Sequence, residues 1–202
     1  MLFNSFTFIL FFLFVLTLFN ILDKRFRILF LTLSSYLFYS FWDWRFTLLL
    51  LSSTVVDYFI GKMIYNSESK LNKKILLAFS IIFNMGILCT FKYLNFFIQN
   101  LELLTNRLGL QLGYVELNII LPVGISFYTF QTMSYTIDIY REKLKPTDDF
   151  IKFALFVSYF PQLVAGPIER AKNILPQLSK SLGTSYKNLN PAIVLITTGY
   201  FK

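Results

Sequence analysis

The chain has 202 residues, 55% hydrophobic and 19% aromatic, with 25 phenylalanines and a net charge of +8. A soluble domain of this length would need a polar shell that these residues cannot supply, so the composition points to an all-α integral membrane protein. The basic residues sit in short clusters between apolar runs, as in juxtamembrane anchoring, so no nucleic-acid partner is expected.

Leu2 to Leu22 contains no charge, and Lys24, Arg25 and Arg27 follow it rather than precede it. No small-residue cleavage site follows, so this is read as a retained transmembrane helix and not a secretory signal. A bilayer core roughly 30 Å thick needs about 20 apolar residues per span. Candidate spans are 2–22, 28–42, 46–60, 75–98 and 117–140, with a shorter apolar piece at 153–168 and the start of a further helix at 191–202. The short 28–42 run is flanked by Arg27, Trp42, Trp44 and Arg45, which can snorkel or sit at the interface. Residues 1–202 read as one domain, or part of one.

Loop charges set the orientation. Lys24, Arg25 and Arg27 follow the first span, Lys62, Lys70, Lys73 and Lys74 the third, and Arg141, Lys143 and Lys145 the fifth. The intervening loops hold only Arg45 and Arg107. The heavy loops are therefore expected in the cytoplasm and the N-terminus outside, in a multi-pass protein of the cell inner membrane.

Several residues stand out along the spans. Asp57 lies a turn from Lys62, which suggests an interfacial ion pair, although its depth also makes it a functional candidate. Cys89 reads as a small buried hydrophobe. Lys92 is either a snorkelling cation beside Tyr93 or a cation facing a polar cavity, the first being the simpler reading. Phe97, Leu101, Leu104 and Leu108 have the spacing of an amphipathic helix in the outer interface, and Gly109 and Gly113 read as a turn. Gly124-Ile125-Ser126 is part of a nucleophile-elbow pattern, but position 128 is Tyr and the chain has no histidine, so a serine hydrolase is rejected. Ser126, Tyr128, Thr129, Gln131, Thr132, Ser134 and Tyr135 make the fifth span unusually polar. Such hydroxyls often only join helices, but beside Pro122 and Gly124 they suit a helix facing the bundle interior or a cavity. Asp138 and Arg141 have the spacing of an intrahelical ion pair.

The segment 151–170 is too short to cross a bilayer and return, and Pro161 with Gly166-Pro167 would break a helix there. Arg141 to Lys145 precede it and Arg170 and Lys172 follow it, so both flanks are read as cytoplasmic. A re-entrant segment near 151–170 satisfies these constraints, and such elements line cavities or tunnels.

These pieces together resemble the membrane-bound O-acyltransferase family, and within it the alginate O-acetyltransferase type. The matching residues are Asp57-Tyr58 with Gly61, Phe91-Lys92-Tyr93 with Phe96-Phe97, the run Leu121 to Thr132, Ser134-Tyr135, Asp138, Tyr140-Arg141, and Phe160 to Arg170. Gly199-Tyr200-Phe201-Lys202 looks like the start of a further motif. The resemblance implies a polytopic helix bundle, here a truncated form of the family fold. It also implies an enzyme that moves an acetyl group from cytoplasmic acetyl-CoA across the membrane for O-acetylation of an exported polysaccharide, with an extracytoplasmic acetyltransferase partner. The family's histidine base would lie beyond Lys202, so no catalytic residue is assigned in this chain, which is expected to be inactive alone. Ser126, Tyr128, Gln131, Tyr135, Pro161, Gln162, Gly166 and Pro167 are the expected tunnel-lining residues, and Arg170 and Lys172 the expected donor-binding ones. No metal and no bound cofactor are expected; membrane lipid, the acyl donor and the polysaccharide acceptor are the expected partners. Alternatives are a D-alanyl transferase of teichoic acids, which takes its acyl group from a carrier protein, and a transporter or channel subunit.

The charge pattern yields a direct test. Reporter fusions within 62–74 and 141–150 should be active only as cytoplasmic reporters, and one within 99–116 only as an external reporter; an external signal from 62–74 would reverse the orientation.

Overall fold

Runs of Phe, Leu and Ile long enough to bury no backbone polar group unpaired fold here as helices, and helices are the only regular structure among the described residues. The computed structural model describes residues 5–109, 119–163, 166, 169–179 and 189–200. Helix α1 spans Phe6–Ile21, α2 Lys24–Ser40, α3 Trp44–Asn66 and α4 Lys70–Leu88. A π-helical turn, Cys89–Tyr93, carries α4 directly into α5, Leu94–Arg107. The sequence led us to expect a span ending at 98 and a separate interfacial helix over 97–108; the structure joins them into one 38-residue helical run. Then follow α6 Ile125–Tyr140, α7 Phe150–Ser158, the single turn α8 Phe160–Leu163, α9 Ala171–Ser179 and α10 Leu189–Tyr200.

Short polar side chains start several of these helices by accepting from otherwise unpaired N–H groups. Ser5 Oγ accepts from Phe8 N at 3.1 Å, and Asp149 Oδ1 from Ile151 N and Lys152 N at 3.0 and 3.2 Å. Asp43 Oδ1 accepts from Arg45 N at 2.9 Å, and the Arg45 guanidinium beside it holds the Asp43 carboxyl below the usual carboxylate range.

Among the described residues, α3 and the run Lys70–Arg107 are long and apolar enough to cross a membrane; Phe6–Ile21 and Phe150–Leu163 are apolar but shorter. Large apolar side chains are also exposed around the outside, among them Leu33, Leu48, Phe79 and Ile82.

The core lies where α3, α4 and α6 meet, closed on its other side by α2 and α7. Helices α3 and α6 run in the same direction and approach closely because Gly61 has no side chain. A Cβ there would stand 2.7 Å from Tyr135 Cε1 and 2.9 Å from Ile139 Cδ1. Tyr135 has little room to yield: its ring centroid is 4.4 Å from that of Phe153, and its hydroxyl accepts from Thr147 N at 3.2 Å. A second aromatic cluster ties α1, α2 and α8 together, with the Phe160 ring 5.4 Å from Phe11 and 5.5 Å from Phe38.

The two basic loops meet at one end of the bundle. Lys62 Nζ lies 3.3 Å from Asp148 Oδ1, Lys73 Nζ lies 3.8 Å from Glu142 Oε1, and Tyr58 OH donates to Asp148 O at 2.6 Å. The expected pairing of Lys62 with Asp57 is therefore not formed. Lys62 reaches out to the loop after α6, while Asp57 turns inward to α4.

Two glycines of α3 and α4 separate packing from helix propensity. Gly61→Ala should lower stability by about 1–3 kcal/mol through overpacking. Gly86→Ala meets open space and should be neutral or gain up to about 1 kcal/mol. Thermal unfolding of the two variants in detergent checks the contrast; equal midpoints would show that Tyr135 moves aside freely.

Candidate functional site

The inward face of α6 meets a helix that stops and restarts. Between α7 and α8 the chain passes through Tyr159, with φ −51° and ψ 106°, and Pro161 lacks an N–H of its own. The break leaves backbone groups that water would satisfy at a surface but that need protein partners in an apolar interior. Gln131 Nε2 donates to Phe156 O at 2.7 Å from α6, and Phe160 N donates to Ser35 Oγ at 3.3 Å from α2. Tyr159 O accepts from Gln162 N and Leu163 N, both at 2.9 Å, closing the turn of α8.

The start of α6 is fitted against the same turn. Gly124 precedes the helix with φ +73°, and a Cβ there would lie 2.6 Å from Leu163 O. Glycine is thus required both by the left-handed backbone and by the contact with α8. Tyr39 OH donates to Val123 O at 2.9 Å, fixing this approach from α2.

The expected tunnel-lining residues fall on different surfaces. Tyr128, Gln131 and Tyr135 are buried on the inward face of α6. The Tyr128 ring stands edge-on to Tyr39 at 6.5 Å. Ser126 instead faces the π-helical turn, where its Oγ accepts from Lys92 Nζ at 3.1 Å. Lys92 is exposed, with its Nζ 5.4 Å from the centroid of the Tyr93 ring. Pro161 is exposed and Gln162 half-buried on α8, while Gly166 donates its N–H to Gln162 O at 2.8 Å. Pro167 lies outside the described residues. Arg170 and Lys172 are exposed at the start of α9, whose Ala171 and Leu175 are buried in the main core. A cavity of about 540 Å³ opens between α3 and α4 beside Lys62, Met63 and Asn72, and one of about 400 Å³ beside Arg45, Phe91 and Ile119. Neither includes the α7–α8 break.

The chain order hid a polar centre. Asp57 Oδ1 accepts from Ser80 Oγ at 2.6 Å and Oδ2 from Asn84 Nδ2 at 2.8 Å; Ser80 Oγ is 3.1 Å from Thr136 Oγ1, and Thr132 Oγ1 donates to Asn84 Oδ1 at 3.4 Å. All five side chains are fully buried. Ser80 and Asn84 belong to none of the sequence motifs, and their i,i+4 spacing inside an apolar span is the one local signal of this centre. The expected Asp138–Arg141 pair is not among the described ion pairs, and Asp138 Oδ2 is buried without a hydrogen-bond partner.

Among the described residues, fold and site together define a helical protein with two membrane-length helices and a broken helix braced from inside the bundle. Its sequence is 38% identical over 181 residues to a probable alginate O-acetylase of Pseudomonas aeruginosa, covering 89% of this chain and 35% of that protein. It is 35% identical over 187 residues to a probable alginate O-acetylase of Pseudomonas syringae, covering 91% and 36%. It is also 31% identical over 200 residues to a peptidoglycan O-acetyltransferase of Helicobacter pylori, covering 86% and 37%. The resemblance to the alginate O-acetyltransferase type is therefore borne out along about nine-tenths of the chain. The chain spans little more than a third of the length of these relatives. No protein-family model and no solved structure matches it.

The brace on the broken helix can be tested directly. Gln131→Leu keeps the bulk but strands Phe156 O, a buried acceptor, and should cost about 1–3 kcal/mol. Amide hydrogen exchange should accelerate through 153–163 more than through α3. Uniform exchange with an unchanged melting midpoint would show that Phe156 O finds another donor.

Proposed function

We propose that this chain builds part of a membrane O-acetyltransferase that takes acetyl from cytoplasmic acetyl-CoA and passes it across the membrane for O-acetylation of an exported or cell-surface polysaccharide. The observation that carries the reading is the similarity, over about nine-tenths of the chain, to proteins named for O-acetyl transfer to alginate and to peptidoglycan. Both acceptors offer sugar hydroxyls, so the common reaction is attack of a hydroxyl oxygen on an acyl carbonyl. A polytopic bundle in the inner membrane, N-terminus outside, accounts for the exposed apolar girdle, which would otherwise face water.

The chemistry divides the labour. A hydroxyl attacking a thioester must lose its proton, and a base of near-neutral pKa suits that step. None of the 202 residues is histidine, and both oxygens of Asp57 are occupied by Ser80 and Asn84. We therefore assign the base to a group outside these residues, and to this chain the framework around it. Within that framework the α7–α8 break, held open by Gln131 and Ser35, forms a wall of the acyl path. Arg170 and Lys172, exposed just past it, attract the phosphates of the donor. An extracytoplasmic acetyltransferase completes the transfer to the polymer.

The test uses the full-length enzyme in membrane vesicles. Replacing Arg170 and Lys172 together by Gln should raise KM for acetyl-CoA about tenfold, as expected from losing one or two charge-assisted contacts, with kcat and membrane insertion little changed. Wild-type kinetics in that variant, and in Gly166→Leu, would remove the segment from the donor path. Transfer from a D-alanyl carrier protein but not from acetyl-CoA would replace acetyl by D-alanyl as the group carried.

A further inference from the structure

A fully buried carboxylate in an apolar bundle needs a compensating positive charge or a proton. Asp57 has 0% exposure, and none of the described ion pairs includes it. An ionised carboxylate offers about four acceptor sites. Ser80 and Asn84 each fill one, on opposite oxygens, at 2.6 and 2.8 Å. Thr132 adds a further contact from α6, and the remaining lone pairs are open to a cation.

A second, independent observation lies one helical turn away. Ser53 Oγ and Thr129 Oγ1 belong to residues with 0% exposure, and both are buried without a hydrogen-bond partner. Ser53 is four residues before Asp57 on α3; Thr129 is three before Thr132 on α6. The two helices run in the same direction: the start of α3 lies beside Ile119 and Ile120, which precede α6, and Lys62 near its end pairs with Asp148, which follows α6, so both hydroxyls are displaced toward the same end of the bundle. Buried polar atoms left unpaired in a native core commonly mark an ion or a water.

We propose that Asp57, with the hydroxyls of Ser53, Thr129 and Thr132, forms a binding site for one sodium ion at the centre of α3, α4 and α6. Ser80 and Asn84 orient the carboxylate from α4. One carboxylate balances one monovalent charge, whereas a divalent ion would leave a net positive charge buried. The donors are all hard oxygens, which suits a hard cation, and the described residues contain no cluster of His, Cys, Asp and Glu that could hold a transition metal. The ion acts as a bolt: it neutralises Asp57 and links the two parallel helices that Gly61 brings together. The site does not depend on the acetyl-transfer reading.

Purified full-length protein in detergent provides the test. At constant ionic strength, replacing N-methyl-D-glucamine chloride by NaCl should raise Tm along a single-site saturation curve, with KCl giving a smaller shift. Equilibrium dialysis with radiolabelled sodium should give one ion per chain. Asp57→Asn should abolish both the shift and the binding, and Thr129→Val should weaken sodium binding about tenfold, the loss of roughly one hydrogen-bond-strength ligand. Equal Tm in all three salts with no sodium retained overturns the proposal and leaves a proton as the occupant of Asp57. Should Asp57→Asn fail to fold, the dialysis stoichiometry of the wild type and its change in Thr129→Val decide the question alone. Retained sodium that Thr129→Val leaves unchanged places the ion elsewhere and equally overturns the site.

Discussion

The burial of Asp57 among α3, α4 and α6 is the constraint from which the rest of the bundle follows. A carboxylate in an apolar interior is tolerated only where its oxygens are engaged, and here that requirement dictates the identity and register of its neighbours. Ser80 and Asn84 must sit four residues apart on α4 to reach opposite oxygens, while Thr132 and Thr136 complete the ring from α6. Sliding any of the three helices by one residue would remove these donors. Apolar packing alone gives helices no such register, because lipid tails and leucine side chains are equally good neighbours. The polar centre fixes the alignment, and Gly61 then lets α3 and α6 close to contact.

With α6 fixed, its remaining polar residues are aimed at the broken helix. Gln131 projects onto Phe156 O, and Gly124 brings the beginning of α6 against Leu163 O. The polarity of this helix thus has two separate physical causes. One side serves the Asp57 centre; the other repairs the backbone that Tyr159 and Pro161 interrupt. A helix that only filled space would need neither. A bundle that holds irregular backbone in its interior needs both.

That arrangement also clarifies what kind of work these residues do in the proposed acetyl transfer. The Ser80 hydroxyl and the Asn84 and Gln131 amides are committed to Asp57 or to backbone, which suits a rigid wall rather than a proton-transfer site. Lys92 is different. It sits on a π-helical turn, is exposed, and reaches Ser126 at the beginning of α6.

The sequence by itself pointed to a helical chain and to the approximate place of its long apolar helices. Apolar length, flanking charge and the positions of Pro161 and Gly166 are local properties, and a backbone in an apolar medium has no regular alternative to the helix unless it forms a closed barrel. The chain order of motifs was also enough to point to the alginate O-acetyltransferase type. What only the tertiary structure decided was partnership. The sequence paired Asp57 with Lys62 and Asp138 with Arg141 because those residues are near one another along one helix. The structure gave Asp57 to Ser80 and Asn84, and Lys62 to Asp148. It likewise merged the expected interfacial helix into α5 and divided the expected tunnel lining between the inside of α6, the π-helical turn and the exposed side of α8. Spacing along a helix shows which side chains share a face. Which face meets which neighbour depends on contacts between residues far apart in the chain, and no local pattern encodes that.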